Sequence, residues 1–226
     1  MAFKPLTKAD HEIVRSAVAR AEDNTSGEIV TIVSTQSDGY WDVALAWSAF
    51  VAFLALAVLE LAPGFYLSLF ERVFGLWAVE WTPRAVLGLA LTVVSLKFAG
   101  MTLLQLWKPL RFFLVPGPVR SARVHARALT CFKVGAERRT HGRTGILIYL
   151  SLREHRAEII ADEAIASRVS PDEWGAAMHA MLEHIRDRRI AEGMAAAVEK
   201  VGEVLAEHLP RAADDVNELP DRLIEV

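Results

Sequence analysis

Two groups of polar residues have types that could bind a ligand, and each group flanks one end of the predicted strands. The first group carries hydroxyl, guanidinium and carboxylate side chains, and it consists of Thr25, Ser26, Arg143, Thr144, Asp162 and Glu163. Hydroxyl and carboxylate oxygens are ligands that a hard cation such as Ca²⁺ prefers. Asp162 and Glu163 also open a predicted helical stretch, where the helix dipole favours carboxylates without a ligand. The pattern therefore predicts either a calcium site or ordinary capping.

The second group lies at the opposite ends of the same strands. It combines Gln36, Asp38, Arg153, Glu154 and His155 with the basic residues Arg120, Arg123 and His125. Ligands of open α/β sheets usually bind outside the carboxyl ends of parallel strands. The functional interpretation is a site for an anionic lipid headgroup or for the juxtamembrane segment of a partner protein. The alternative is ordinary juxtamembrane positive charge beside a solvated turn.

Motifs of well-known enzyme classes are absent from the sequence. It has no GxxxxGK phosphate loop, no GxGxxG, no nucleophile elbow and no HExxH pair. The single cysteine, Cys131, excludes an internal disulfide and a cysteine-based zinc cluster. A net charge of −3 argues against a general nucleic-acid-binding surface. The acidic tail could chelate a cation or stay solvated, and it contains Asp214, Asp215, Asn217, Glu218 and Asp221.

Two apolar runs dominate the middle of the chain. VALAWSAFVAFLALAVL occupies 43–59, and AVLGLALTVVSLKFAGMTLLQLW occupies 85–107. A membrane-spanning helix needs about 20 mostly apolar residues, whereas a soluble core helix keeps one polar face. We predict a transmembrane hairpin over 42–113, with spans at about 43–62 and 85–107. Aromatic residues between the spans predict an interfacial helix over 65–78.

Charges around the hairpin predict its orientation. The loop between the spans holds only Arg72 and Arg84, whereas the chain after the second span carries Lys108, Arg111, Arg120, Arg123 and Arg127. The positive-inside rule then places both termini in the cytoplasm of a bacterial inner membrane. Lys97 lies deep within the second span. It is expected to contact another membrane subunit, or else to extend toward the membrane surface.

The remaining sequence predicts one α/β domain that the hairpin interrupts, formed by 1–41 and 114–226. Its helices are expected at 6–23, 119–138, from 171 onward and 190–209, and its strands at 28–34, 144–151 and 157–161. Ile13, Val14, Ala17, Val18 and Ala21 are the predicted buried face of the first helix; Trp174, Met178, Met181, Leu182 and Ile185 are that of the third. The first two strands should pair in parallel through a crossover. The acidic tail is expected to wrap the surface.

Three segments together resemble the TPM domain, a family of thylakoid-lumen and other membrane-associated proteins. They are TSGEIVTIVS, RTGILIYLSLREHRAEIIADEAI and the helix that carries Trp174. The resemblance implies a compact sheet with helices on both sides. For some members it implies proposed acid phosphatase activity or calcium binding, and for others the maintenance of membrane complexes. Many members have a glycine-rich turn where this chain has ADEAI at 161–165, so no catalytic role is transferred.

The sequence favours a non-enzymatic, membrane-anchored module that binds or helps maintain a membrane protein complex. Its expected partners are membrane lipid and a membrane protein; a homo-oligomer is compatible with the sequence, and nucleic acid is not expected. The alternatives are a phosphohydrolase with Asp162 or Glu163 at its site, or a calcium-binding module.

Overall fold

The computed structural model describes residues 6–75, 81–135, 144–170, 172–212 and 218–226. Within them the elements follow the order α1 (Lys8–Glu22), β1 (Glu28–Ser34), α2 (Trp41–Leu61), α3 (Pro63–Phe74), α4 (Pro83–Leu104), α5 (Lys108–Leu114), α6 (Gly117–Gly135), β2 (Gly145–Ser151), β3 (Arg156–Ala161), α7 (Glu163–Ala166), α8 (Trp174–Arg186), α9 (Ile190–His208) and β4 (Leu223–Glu225). The chain divides into two compact units, Gly39–Gly117 and the remainder.

The larger unit is built on a small mixed sheet with the strand order β3-β2-β1-β4. β1 and β2 are parallel and in register from the Glu28–Gly145 pair to the Ser34–Ser151 pair. β3 returns antiparallel to β2 through a tight turn. The predicted parallel pairing of the first two strands is therefore confirmed.

β4 is the main difference from the prediction. The tail was expected to wrap the surface, but Leu223–Glu225 forms a fourth strand parallel to β1. Its three residues are too few to show a period of two, so no strand could be predicted there. The strand forms because the open edge of β1 supplies unpaired backbone groups and because Leu219 and Leu223 are buried.

Helices cover both faces of the sheet, as the resemblance implied. Alternate residues of the two central strands point to opposite faces. Ile29, Ile146 and Ile148 join the core under α1, α8 and α9. Val30 and Leu147 pack instead beneath α6. Because both strands are covered on both sides, every residue of each is buried, and β2 is apolar along almost its whole length.

Two residues that were predicted to be buried on helix faces are exposed in the structure. Ile13 of α1 is 39% exposed and Leu182 of α8 is 40% exposed. Each lies at the border of its apolar stripe, where the hydrophobic pattern cannot show how far the neighbouring helix extends. The start of α1 is confirmed, because Thr7 and Asp10 form a reciprocal capping box.

The unit Gly39–Gly117 contains two helices that are long and apolar enough to cross a membrane, α2 and α4. α2 packs on α4 through small residues at helical spacing, Ala44, Ser48, Ala52 and Ala55. Such a stripe allows a close approach of two helices, as is common within membranes. At one end, Gln105 donates from Nε2 to Ala44 O (2.9 Å) and to Ser48 Oγ (3.2 Å), which joins the two helices by polar contacts.

Most of the apolar surface of these helices is exposed. Only 28% of the α2 span and 6% of the α4 span are buried within the structure. Lys97 is exposed on α4. The helix predicted over 65–78 is present as α3, and it ends at Phe74 because Gly75 adopts the left-handed conformation that closes a helix. Its interfacial position stays a prediction. Trp77 lies outside the described residues.

Candidate binding sites at the two ends of the sheet

The first predicted group lies at the end of the sheet where β1 and β2 begin. Thr25 Oγ1 donates to Leu209 O (2.7 Å) and accepts from Gly27 N (3.1 Å). Ser26 Oγ accepts from Ala212 N (2.9 Å). Thr144 joins the same end, because its carbonyl accepts from Glu28 N. The two hydroxyl groups therefore fasten the segment after α9 to the start of β1. Arg143 lies outside the described residues.

Asp162 and Glu163 reach this end from β3. Asp162 is buried, and its Oδ2 accepts from Gly145 N (3.3 Å) while its own N–H donates to Gly145 O (2.9 Å). It directly precedes the short helix α7, whose first residue, Glu163, is exposed. The structure thus gives Asp162 a backbone-pairing role at the start of β2. Its predicted roles in catalysis and in calcium binding stay predictions.

Across the part of the chain that the structure describes, no three or more His, Cys, Asp or Glu side chains are grouped as metal ligands. From the acidic tail, Asp214, Asp215 and Asn217 lie outside that part. Glu218 follows them and donates its backbone N–H to Glu28 Oε1 (3.1 Å).

A cluster of buried carboxylates at this end was missed from the sequence. Glu22 is 9% exposed and accepts from Ile29 N at 2.7 Å. Glu28 is also buried and accepts from the N–H groups of Glu218 and Leu219. Burial raises the pKa of Glu22 to about 9, although the hydrogen bond from the Ile29 N–H lowers it. Glu28 and Asp221 make smaller contributions that also raise it. Glu22 is consequently protonated at neutral pH.

The opposite end of the sheet holds a directed chain of hydrogen bonds. Ser37 Oγ donates to Ser151 Oγ (2.9 Å), and Ser151 Oγ donates to Glu154 Oε2 (2.6 Å). Tyr149 OH lies 3.0 Å from Ser37 Oγ. Since the single hydroxyl hydrogen of Ser37 is already used, Tyr149 donates here. The chain therefore runs from a buried phenol through two hydroxyl groups to a carboxylate.

Glu154 completes this network from the turn between β2 and β3. It is 4% exposed, and its second oxygen, Oε1, accepts from Ser37 N at 3.0 Å. In the same turn, Arg153 donates from Nη1 to Gln36 Oε1 (2.8 Å) and from its backbone N–H to Thr35 O (3.2 Å). Together these contacts hold the segment after β1, which continues along the chain into α2. We call Ser37, Tyr149, Ser151 and Glu154 the hydroxyl–carboxylate network.

Sequence reasoning found only part of this end. It named Asp38, Arg153 and Glu154, which the structure brings together, but not Ser37, Tyr149 or Ser151. Tyr149 carried a usable signal, since it is the one residue with a polar tip inside the aliphatic run GILIYL, and a buried tyrosine hydroxyl normally finds a partner. Arg123 pairs with Asp38 at 3.1 Å. Arg120 is half-buried on α6.

The arrangement has a clear chemical capacity. The carboxylate of Glu154 accepts every hydrogen bond that the network directs to it, and aligned hydroxyl groups polarise one another. Ser37 lies in the segment that follows β1, and it is only half-buried. These groups can hold the connecting segment in one position and can accept or donate hydrogen bonds to a bound polar group.

Comparisons with known proteins agree with this fold. Residues 121–204 match the family model of the TPM domain. The resemblance of this segment to the TPM domain is therefore confirmed. The matched segment begins within α6 and ends within α9, and it contains Thr144, Arg153, Glu154, Asp162 and Glu163. Thr25, Ser26, Asp38 and Lys97 lie outside it. No curated protein matches the chain.

A solved structure with the same fold extends the comparison beyond the matched segment. The BA42 protein from the psychrophilic bacterium Bizionia argentinensis, determined by NMR, superimposes with a TM-score of 0.57 at 18% identity. The alignment covers 100% of this chain and 99% of that chain. The likeness shows that this chain shares a fold with BA42, including the first strand that the family model leaves out.

Proposed function

We propose that this protein is a membrane-anchored module, held by the α2–α4 hairpin, that binds or helps maintain a membrane protein complex. The observation that carries the proposal is the exposure of the hairpin. A core helix of a soluble protein is mostly buried, whereas only 6% of the α4 span is. Exposed leucine and phenylalanine side chains such as Phe53, Leu87 and Leu91 are better accommodated by lipid than by water.

The charges and aromatic residues of the hairpin support the proposed orientation. Trp41 and Trp107 lie near one end of the helix pair and are exposed. Trp81 precedes the start of α4, and its Nε1 donates to Glu71 Oε1 (2.8 Å). Tryptophan is enriched at both membrane interfaces. With the basic residues that follow Trp107, this pattern favours cytoplasmic termini in a bacterial inner membrane.

Alkaline carbonate extraction of bacterial membranes tests the anchor. The wild-type chain should stay in the membrane pellet, and the double substitution Phe53→Arg, Leu91→Arg should release much of it. Ile13→Arg is the matched control, because it adds a charge at an exposed apolar position of the other unit and should leave the chain in the pellet. Release of the wild-type chain by carbonate alone would contradict membrane anchoring.

Crosslinking in native membranes tests the partner. The same membrane protein should be crosslinked to the wild-type chain in repeated experiments. If the ammonium group of Lys97, deep within the predicted span, contacts that partner, Lys97→Ala should reduce the yield of the crosslinked product. Recovery of the chain alone would contradict a role in a complex.

The phosphohydrolase alternative has its own assay, in which a generic phosphate ester is supplied with and without Ca²⁺. We expect no turnover above background, and an activity abolished by Asp162→Ala would overturn that expectation.

A further inference from the structure

Arg111 has an unusual environment within the unit Gly39–Gly117. It lies on α5 and is 7% exposed. Its Nη1 donates to Gly39 O at 3.2 Å, and its guanidinium carbon lies 4.0 Å from the centre of the Trp41 ring. Its Nε has no hydrogen-bond partner among the described residues. A carbonyl oxygen and an aromatic face thus hold the guanidinium in a fixed position.

No carboxylate of the described residues forms an ion pair with Arg111. An arginine keeps its charge at every accessible pH. A buried charge is unfavourable unless it is paired, and the Trp41 ring and the Gly39 carbonyl supply only partial negative charge. The buried charge of Arg111 therefore has no anionic partner among the described residues.

The neighbours of Arg111 indicate what kind of anion this is. Lys108 lies three residues earlier on α5 and is exposed. Trp107 directly precedes Lys108 and is 67% exposed, so a large apolar ring adjoins the first of the two cations along the chain. Tyr40 and Phe112 stack edge to face at 5.4 Å and fix α5 against the start of α2. Cations beside exposed aromatic rings at the end of apolar helices are typical of headgroup sites.

We propose that Arg111 and Lys108 bind the phosphate of an anionic phospholipid, whose acyl chains lie against Trp107. The inference rests on the proposed membrane anchor. Arg111 supplies the oriented guanidinium that suits a phosphate, and Lys108 supplies a mobile point charge. A zwitterionic lipid has the same phosphate but carries a compensating cation, so the site should distinguish the two.

The test uses the purified full-length chain in a non-ionic detergent and measures its melting temperature. Dioctanoyl phosphatidylglycerol should raise the melting temperature by about 3 °C when it is present at about tenfold its Kd. Dioctanoyl phosphatidylcholine and sodium phosphate should have much smaller effects. Arg111→Gln and Lys108→Gln should each weaken the response to phosphatidylglycerol, and Arg84→Gln, an exposed arginine at the start of α4, should leave it unchanged.

Each contrary outcome has a defined meaning. Equal stabilisation by phosphatidylcholine would overturn the proposed recognition of the lipid's charge. Equal stabilisation by sodium phosphate would show that the ligand is a free anion, and it would overturn the lipid proposal. If Arg111→Gln does not fold, Lys108→Gln decides, because its side chain is exposed and not part of the core. Flotation with vesicles of phosphatidylcholine alone separates this inference from the anchor. A chain that floats but ignores phosphatidylglycerol refutes only the lipid site, whereas a chain that does not float refutes the anchor.

Discussion

The two ends of the sheet both bury a glutamate, but they surround it with opposite chemistry. Glu154 faces donors, namely the hydroxyl of Ser151 and the N–H of Ser37. Glu22 accepts one N–H but also faces the carboxylates of Glu28 and Asp221, and burial raises its pKa to about 9. The comparison shows that the fold holds its buried carboxyl groups in two ways, among hydrogen-bond donors at Glu154 and beside other carboxylates at Glu22.

Removal of the Glu154 carboxylate should have the largest effect. Glu154→Ala leaves the Ser37 N–H and the Ser151 hydroxyl without their acceptor inside the protein, so we expect the free energy of unfolding to fall by about 3 kcal/mol. Chemical denaturation in detergent measures this loss. Glu154→Gln is the matched control, since it keeps one acceptor oxygen and should lose less. A loss as small as that of an exposed residue would mean that the hydroxyl–carboxylate network does not hold the segment after β1.

Glu22→Gln should act in the opposite direction. Because the pKa is raised from 4.5 to about 9 in the folded state, the folded protein binds one more proton than the unfolded chain between these values. The stability from this group is complete below pH 4.5 and is lost as pH rises through about 9. Glutamine mimics the protonated form, so the variant should be more stable at pH 8 by about 2 kcal/mol and less sensitive to pH.

Denaturation curves between pH 5 and 9 measure this effect. Glu12→Gln is the control on the same helix, because Glu12 is exposed and pairs with Arg15. It should leave the slope of stability with pH almost unchanged. A wild-type protein whose stability does not fall over this range would show that Glu22 is ionised in the folded state, and the contrast between the two ends would disappear.

Asp162→Ala tests a carboxylate that makes a weaker contact at the same end as Glu22. Its Oδ2 accepts from Gly145 N at 3.3 Å, which is long for such a bond. We expect the unfolding free energy to fall by about 1 kcal/mol. Asp162→Asn keeps the acceptor and should change less. A loss equal to that of Glu154→Ala would show that the two ends depend on their carboxylates to the same extent.

Arg123→Ala should have the smallest effect. The Arg123–Asp38 pair lies beside the hydroxyl–carboxylate network, but both side chains are partly exposed, at 43% and 32%. Ion pairs of this kind contribute about 0.5 kcal/mol or less, and less in salt. Thermal denaturation at low and high salt should therefore hardly separate the variant from wild type. A clear loss would indicate that Arg123 supports the network directly.

Much of the fold follows from local sequence patterns. The capping box at Thr7, the all-apolar run of β2 and the turn after Ser151 depend on residues that are neighbours along the chain. The parallel pairing of β1 with β2 followed from the handedness of crossover connections. The TPM resemblance followed from the same segments, and residues 121–204 confirm it.

The sequence by itself determined the order of the longer helices and of the first three strands, the two long apolar helices and the resemblance of residues 121–204 to the TPM domain. Only the tertiary structure decided that residues 223–225 form a strand, that Tyr149 and Ser37 share a network with Glu154, and that Arg111 is buried and forms no ion pair with a carboxylate of the described residues. The physical reason is that helix and strand periodicity is a property of adjacent residues. Hydrogen bonds and burial between residues more than 100 positions apart depend instead on how the finished sheet and helices bring them together.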